Sequence, residues 1–95
     1  MAREPIHPGE FLQDELMELG MSAAELARSI HVPANRISQI LAGKRNISAD
    51  TALRLGRWLG TGPQIWLNLQ QAYELDLAQK RLGDRINAIE PRTAA

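Results

Sequence analysis

Ser22 to Gly43, SAAELARSIHVPANRISQILAG, leaves this chain few folds to choose from. Ser22 with Glu25 three residues on forms a capping box, in which each side chain takes up a free backbone N–H at a helix start. Leu26, Ala27 and Ile30 then follow at helical spacing. His31, Val32 and Pro33 leave room only for a tight turn. Ile37, Ile40 and Leu41 resume the helical period until Gly43. Two short helices joined this closely cannot bury their apolar faces alone, so further helices must pack around them. The pair predicts an all-helical domain.

The flanks supply those helices. A first one starts at Pro8, whose missing N–H is no loss in a first turn, and stops at Gly20. Phe11, Leu12, Leu16 and Leu19 mark one side of it; Glu10, Asp14, Glu15 and Glu18 mark the other. Ser48 caps a fourth helix with apolar positions Ala52, Leu53, Leu55, Trp58 and Leu59, broken by Gly60-Thr61-Gly62. Pro63 opens a fifth, over about 63–82, that carries two apolar stripes. Ile65, Trp66, Leu69, Ala72, Tyr73 and Leu77 make one, and Leu67, Leu75, Ala78 and Leu82 lie opposite. A surface helix needs one stripe. The surplus is expected to meet a second copy of the chain, with Trp66, Leu69, Tyr73 and Leu77 as candidates for the seam. A chain end folded back over it, and core packing of Trp66 or Tyr73 against Trp58, are the alternatives. The expected architecture is all-α: five helices in a single domain over residues 1–90, then a disordered tail at 91–95.

Several chemistries are excluded. There is no cysteine, hence no disulfide and no thiolate nucleophile or ligand. His7 and His31 fall in different loops without metal-ligand spacing, and Gly60-Thr61-Gly62 lacks the lysine of a phosphate loop. Neither an enzyme nor a metal or cofactor site is expected. The chain has no apolar run of bilayer length and no basic, apolar leader, which makes the cytoplasm, at the nucleoid, the expected location.

A formal charge of zero would argue against a nucleic-acid partner, but its distribution reverses the argument. Residues 1–31 hold two basic and six acidic side chains, net −4. Residues 32–57 hold Arg36, Lys44, Arg45, Arg54 and Arg57 against Asp50, net +4. Salt confines an exposed charge to roughly 8–10 Å, so the local excess is what a phosphate backbone meets.

The second helix of the pair adds base-reading chemistry. A helix fits the major groove of B-DNA, where each base pair presents its own donor and acceptor pattern. Asn35, Arg36, Ser38 and Gln39 form its exposed polar face, with Asn35 and Gln39 one turn apart. Asn and Gln pair bidentately with adenine and Arg with guanine, while Ala34 suits contact with a thymine methyl. Lys44, Arg45 and Asn46 follow as a phosphate-gripping loop. The helix start capped by Ser22 offers backbone N–H groups to another phosphate. Arg54 and Arg57 are weaker phosphate candidates, with the solvated face of the fourth helix as the alternative reading. The partner these residues imply is double-stranded DNA.

The segment SAAELARSIHVPANRISQILAGKRNISADTALRLGRWLG resembles the helix-turn-helix of Xre/Cro-type DNA-binding proteins, whose domain is lambda-repressor-like. HPGEFLQDEL before it and PQIWLNLQQAYEL after it are similar to the flanks of the HigA antitoxin family within that group. The likeness runs from about Ile6 to Leu77. It implies a homodimer on a palindromic operator, repression of its own operon, and neutralisation of a HigB-like toxin that cleaves mRNA. A stand-alone regulator without a toxin, or an interaction module that has lost DNA binding, remain alternatives. Three positions depart from the common pattern. Ala23 stands where many such proteins have a clamping Gln, His31 where the turn usually has Gly, and Pro33 where Ser usually caps the second helix.

Overall fold

The first five helices begin where the backbone finds a cap, or a proline that has no N–H to leave unpaired. The computed structural model describes residues 4–93. Helix α1 (Pro8–Leu19) opens on a proline, with the His7 side chain accepting from the Gly9 N–H at 2.9 Å. Helix α2 (Ala23–Ile30) has the full capping box: Glu25 N–H to Ser22 Oγ at 3.1 Å, and Ser22 N–H to Glu25 Oε1 at 2.9 Å. Helix α3 (Ala34–Leu41) starts from extended Pro33 with no side-chain cap. Helix α4 (Ala49–Leu59) is capped by Ser48, and α5 (Gln64–Leu82) follows Pro63.

A sixth helix, α6 (Asp84–Asn87), was not expected from the sequence. Gly83 ends α5 in a conformation with φ 53° and ψ −129°, and one further turn forms beyond it. Arg85 holds the junction by donating to the carbonyls of Arg81 at 2.8 Å and Leu82 at 3.3 Å. No strand occurs among the described residues. The tail expected at 91–95 is non-helical over 91–93; the rest lies outside the described residues.

The core is where α1 to α4 and the start of α5 converge. Leu12 and Leu16 of α1 meet Leu26, Ala27 and Ile30 of α2, Ile37 and Ile40 of α3, Ala52 and Leu55 of α4, and Trp66 of α5. Phe11 and Leu19, placed by period on the inner side of α1, stand exposed instead, as do Leu53 and Trp58 on α4. A buried stripe on a short helix is narrow, and its edge positions face solvent. Gly9 lies so close to the Ile40 carbonyl that a β-carbon there would collide with it. That contact seats α1 directly on the backbone of α3. Beyond the core, α5 continues as an arm. The radius of gyration is 16.5 Å and the longest extent 52 Å, against about 12 Å for the radius of a spherical domain of this length.

Candidate nucleic-acid interface

The turn between α2 and α3 depends on His31, the one non-glycine residue with positive φ among those described, at 62°. Its left-handed conformation lets Val32 N–H reach back to the Ala27 carbonyl at 3.0 Å, closing α2. A second clamp comes from α4. Arg54 Nη1 donates to the carbonyls of Ile30 at 2.9 Å and His31 at 3.1 Å, satisfying the end of α2. Arg54 is thus more than a solvated side chain. Its Nε also pairs with Asp50 Oδ1 at 2.8 Å, and the same oxygen takes Arg36 Nη1 of α3 at 2.7 Å. One carboxylate oxygen ties α3 and α4 together beside the turn. The hydrogen bonds from Arg54 first, then Arg36, hold the Asp50 carboxyl below its usual range.

With Ile37 and Ile40 buried, α3 turns Ala34, Asn35, Ser38 and Gln39 to solvent as one face. Ser38 Oγ donates to the Asn35 carbonyl at 3.3 Å, a bond that water or a base can replace. Gln39 is held at its tip, accepting from Arg45 Nη1 at 3.2 Å. The expected reading face is therefore assembled except for Arg36, which is half-buried against Asp50.

The loop after α3 is built to stay in place. Gly43 adopts φ 74°, and the Lys44 N–H returns to the Gln39 carbonyl at 2.9 Å. Lys44, Arg45 and Asn46 are exposed, and Ile47 dives into the core. There the Ile47 N–H donates to Gln70 Oε1 at 2.7 Å, and Gln70 Nε2 donates to Glu74 Oε2 at 2.8 Å. Gln70 is buried in α5 and was missed by sequence reasoning. Its only signal is a polar residue beside Trp66, Leu69 and Tyr73 on an apolar helix face.

His7 braces the same loop. Its ring packs edge-on to Tyr73 with centroids 4.9 Å apart, and its Nδ1 accepts from Gly9. Burial pushes its pKa down; the Arg45 backbone near Nε2, though without a well-formed hydrogen bond, and the charge of Glu10 offset part of that.

Ser22 is exposed at the start of α2, where its box occupies the N–H groups of Ser22 and Glu25. A phosphate there would find the N–H groups of Ala23 and Ala24, next to the Glu25 carboxylate. The seam candidates separate. Trp66 is 4% exposed inside its own chain and belongs to the core, which removes it as a seam residue. Leu69 packs on that core and Tyr73 on His7, both half-buried; Leu77 is exposed. Trp58 does not cover Trp66 as a core partner but stands at the surface. No group of His, Asp and Glu suited to a metal ion occurs among the described residues, and no described helix is long and apolar enough to cross a membrane.

A family profile described as helix-turn-helix matches residues 12–66, the stretch that holds the turn, the reading face and the loop. Over 76 residues the chain is 49% identical to virulence-associated protein I of Dichelobacter nodosus, spanning 79% of this chain and 70% of that one. A solved addiction-module antidote protein of the HigA family from Coxiella burnetii superposes with TM-score 0.91 at 49% identity, covering 95% of this chain and 100% of the other. The chain belongs to the HigA family of helix-turn-helix proteins. Pseudomonas aeruginosa antitoxin HigA, solved with the higBA promoter, matches at TM-score 0.88 and 48% identity, over 94% and 99% of the two chains. HigA-family relatives are thus regulators and antitoxins rather than enzymes.

Proposed function

We propose that this chain is a homodimeric repressor that reads a palindromic operator and serves as the HigA-type antitoxin of a HigB-like ribonuclease. The observation that carries the DNA reading is the solvent-facing set Asn35, Ser38 and Gln39 on a helix anchored from behind by Ile37 and Ile40. A helix so presented fits the major groove, and Lys44 and Arg45 beside it supply phosphate contacts that fix register. The Pseudomonas relative, solved with the higBA promoter, supports DNA binding by a chain of this fold. Reading a palindrome takes two copies, with half-sites about 34 Å apart. Exposed Leu75 and Leu77 on the arm, and exposed Leu53 and Trp58 on α4, are among the apolar side chains left for a seam. This reading places the protein in the cytoplasm, with the DNA it controls.

The test is titration of a fluorescent fragment of the protein's own promoter at two salt concentrations beside a scrambled duplex. Tight, salt-sensitive binding that prefers the promoter supports the repressor. Replacing Gln39 or Asn35 by Ala should cost on the order of 1–3 kcal/mol and relax preference at particular base pairs. A Gln39→Ala variant that keeps full preference would put the reading face elsewhere. Equal, weak binding to both duplexes would instead make the helix-turn-helix a scaffold for a protein partner.

A further inference from the structure

Part of the apolar surface that DNA reading does not use lies between α1 and α5. Phe11 and Ile65, 41% and 49% exposed, flank a hollow of about 190 Å³. Leu59, Leu69 and the buried Trp66 line it from the core side. A cavity of about 150 Å³ takes a benzene molecule, so this hollow has room for one large apolar side chain. Asp14 and Glu15 stand at its edge, with Glu10 and Glu18 exposed on the same helix. None of the four carboxylates has an ion-pair partner among the described residues.

An apolar socket with an unpaired acidic rim suits one kind of occupant. DNA is repelled by the rim. A second copy in a two-fold seam would set the patch against its own image, bringing Asp14 and Glu15 toward the other copy's carboxylates with no cation between them. A protein surface with one apolar side chain flanked by Lys or Arg satisfies both features, the anchor filling the socket and the cations neutralising the rim. A ribonuclease must attract a phosphate backbone and so carries such cations.

We infer that the α1–α5 hollow is the docking surface for the ribonuclease, which inserts an apolar side chain between Phe11 and Ile65 and sets basic residues on Asp14 and Glu15. This rests on the antitoxin reading above. The experiment titrates the full-length protein against a purified HigB-like ribonuclease from the same host, at low and high salt, and measures operator binding in parallel. Ile65→Ser should weaken the complex roughly tenfold by emptying the socket. The double variant Asp14→Lys, Glu15→Lys should weaken it by about tenfold or more and abolish its salt dependence. Ile65→Ser should bind the operator as the wild type does and the double variant at least as tightly, since neither touches the reading face and the second removes charges that repel DNA; that retained binding shows that they fold.

Variants that keep both operator and ribonuclease affinity would overturn the hollow as the site while leaving the antitoxin reading intact. Failure of the wild-type chain to take up the ribonuclease would overturn both. A change in dimer mass on gel filtration with Ile65→Ser would assign the hollow to a second copy and overturn the proposal.

Discussion

A single oxygen atom of Asp50 holds two arginines that would otherwise be free to find phosphates. Arg36 and Arg54 both end on Oδ1, and Arg54 also closes α2 through two carbonyls. The carboxylate therefore restrains the one cation on the reading face. In an Asp50→Asn variant Arg36 should swing free, raising affinity for scrambled DNA several-fold and shrinking the ratio between operator and scrambled duplex. Because the pair is exposed, water screens it, and the melting temperature should fall little. Parallel titrations of the two duplexes check this; an unchanged ratio would mean that Arg36 already reaches DNA as it stands. His7 carries a second residue-scale expectation. Its pKa in the folded chain lies below 6.5, because burial disfavours the cation. Above 6.5 His7 is neutral in both states. As pH falls below that value the unfolded chain takes up the proton first, so stability declines until folded His7 also titrates. Thermal melts between about pH 7.5 and 5 should show that decline, and His7→Asn should flatten it, since Asn keeps a cap acceptor but does not titrate in this range.

Among elements, the loop after α3 owes its position to α5. Gln70 is 23 residues from the Ile47 N–H it accepts, and both are buried. Replacing Gln70 by Leu should cost about 1–3 kcal/mol, the penalty of a buried donor without an acceptor. It should also loosen Lys44 and Arg45, so operator and scrambled duplexes weaken alike while sequence preference survives. Gln70→Glu keeps the acceptor but sets a second carboxylate against Glu74, to which Gln70 Nε2 now donates at 2.8 Å, and should recover little of the loss. Urea unfolding and the two-duplex titration together separate these outcomes. The same residue shows where sequence reading stops. The Ser22–Glu25 box, the Ser48 cap, left-handed His31 and proline-started α3 were all legible, because each depends on residues within one helical turn. The Asp50 knot and the Gln70 bond join residues 14 to 24 positions apart, and a single sequence carries no sign of who meets whom. Periodicity named two apolar faces on α5 but not their neighbours, so Trp66 was offered to a partner and proved to be core. Helix α6 escaped because four residues are too few for a period and it has no side-chain cap; its Arg85 instead reaches backward across Gly83 to the last carbonyls of α5.

At the scale of the whole molecule, zero net charge and DNA binding are reconciled by where the charges sit. If net charge governed association, affinity would hardly respond to salt. If the local surface governs, the cations that matter are Lys44 and Arg45 of the loop beside α3, exposed and without carboxylate partners among the described residues; Arg36 and Arg54 are tied to Asp50, and Arg57, also exposed, lies away on α4. If two copies bind one operator, as proposed above, they neutralise about four phosphates through these side chains, and each released counterion contributes about −0.9 to the slope of log affinity against log salt. The expected slope is about −3.5 for the dimer. Lys44→Ala removes one contact per half-site and should bring it to about −2, with operator and scrambled duplexes affected equally. A slope near zero would return the net-charge view. One steeper than about −6 would mean that further arginines reach phosphate: Arg57 as it stands, or Arg36 and Arg54 once the Asp50 knot opens on the operator.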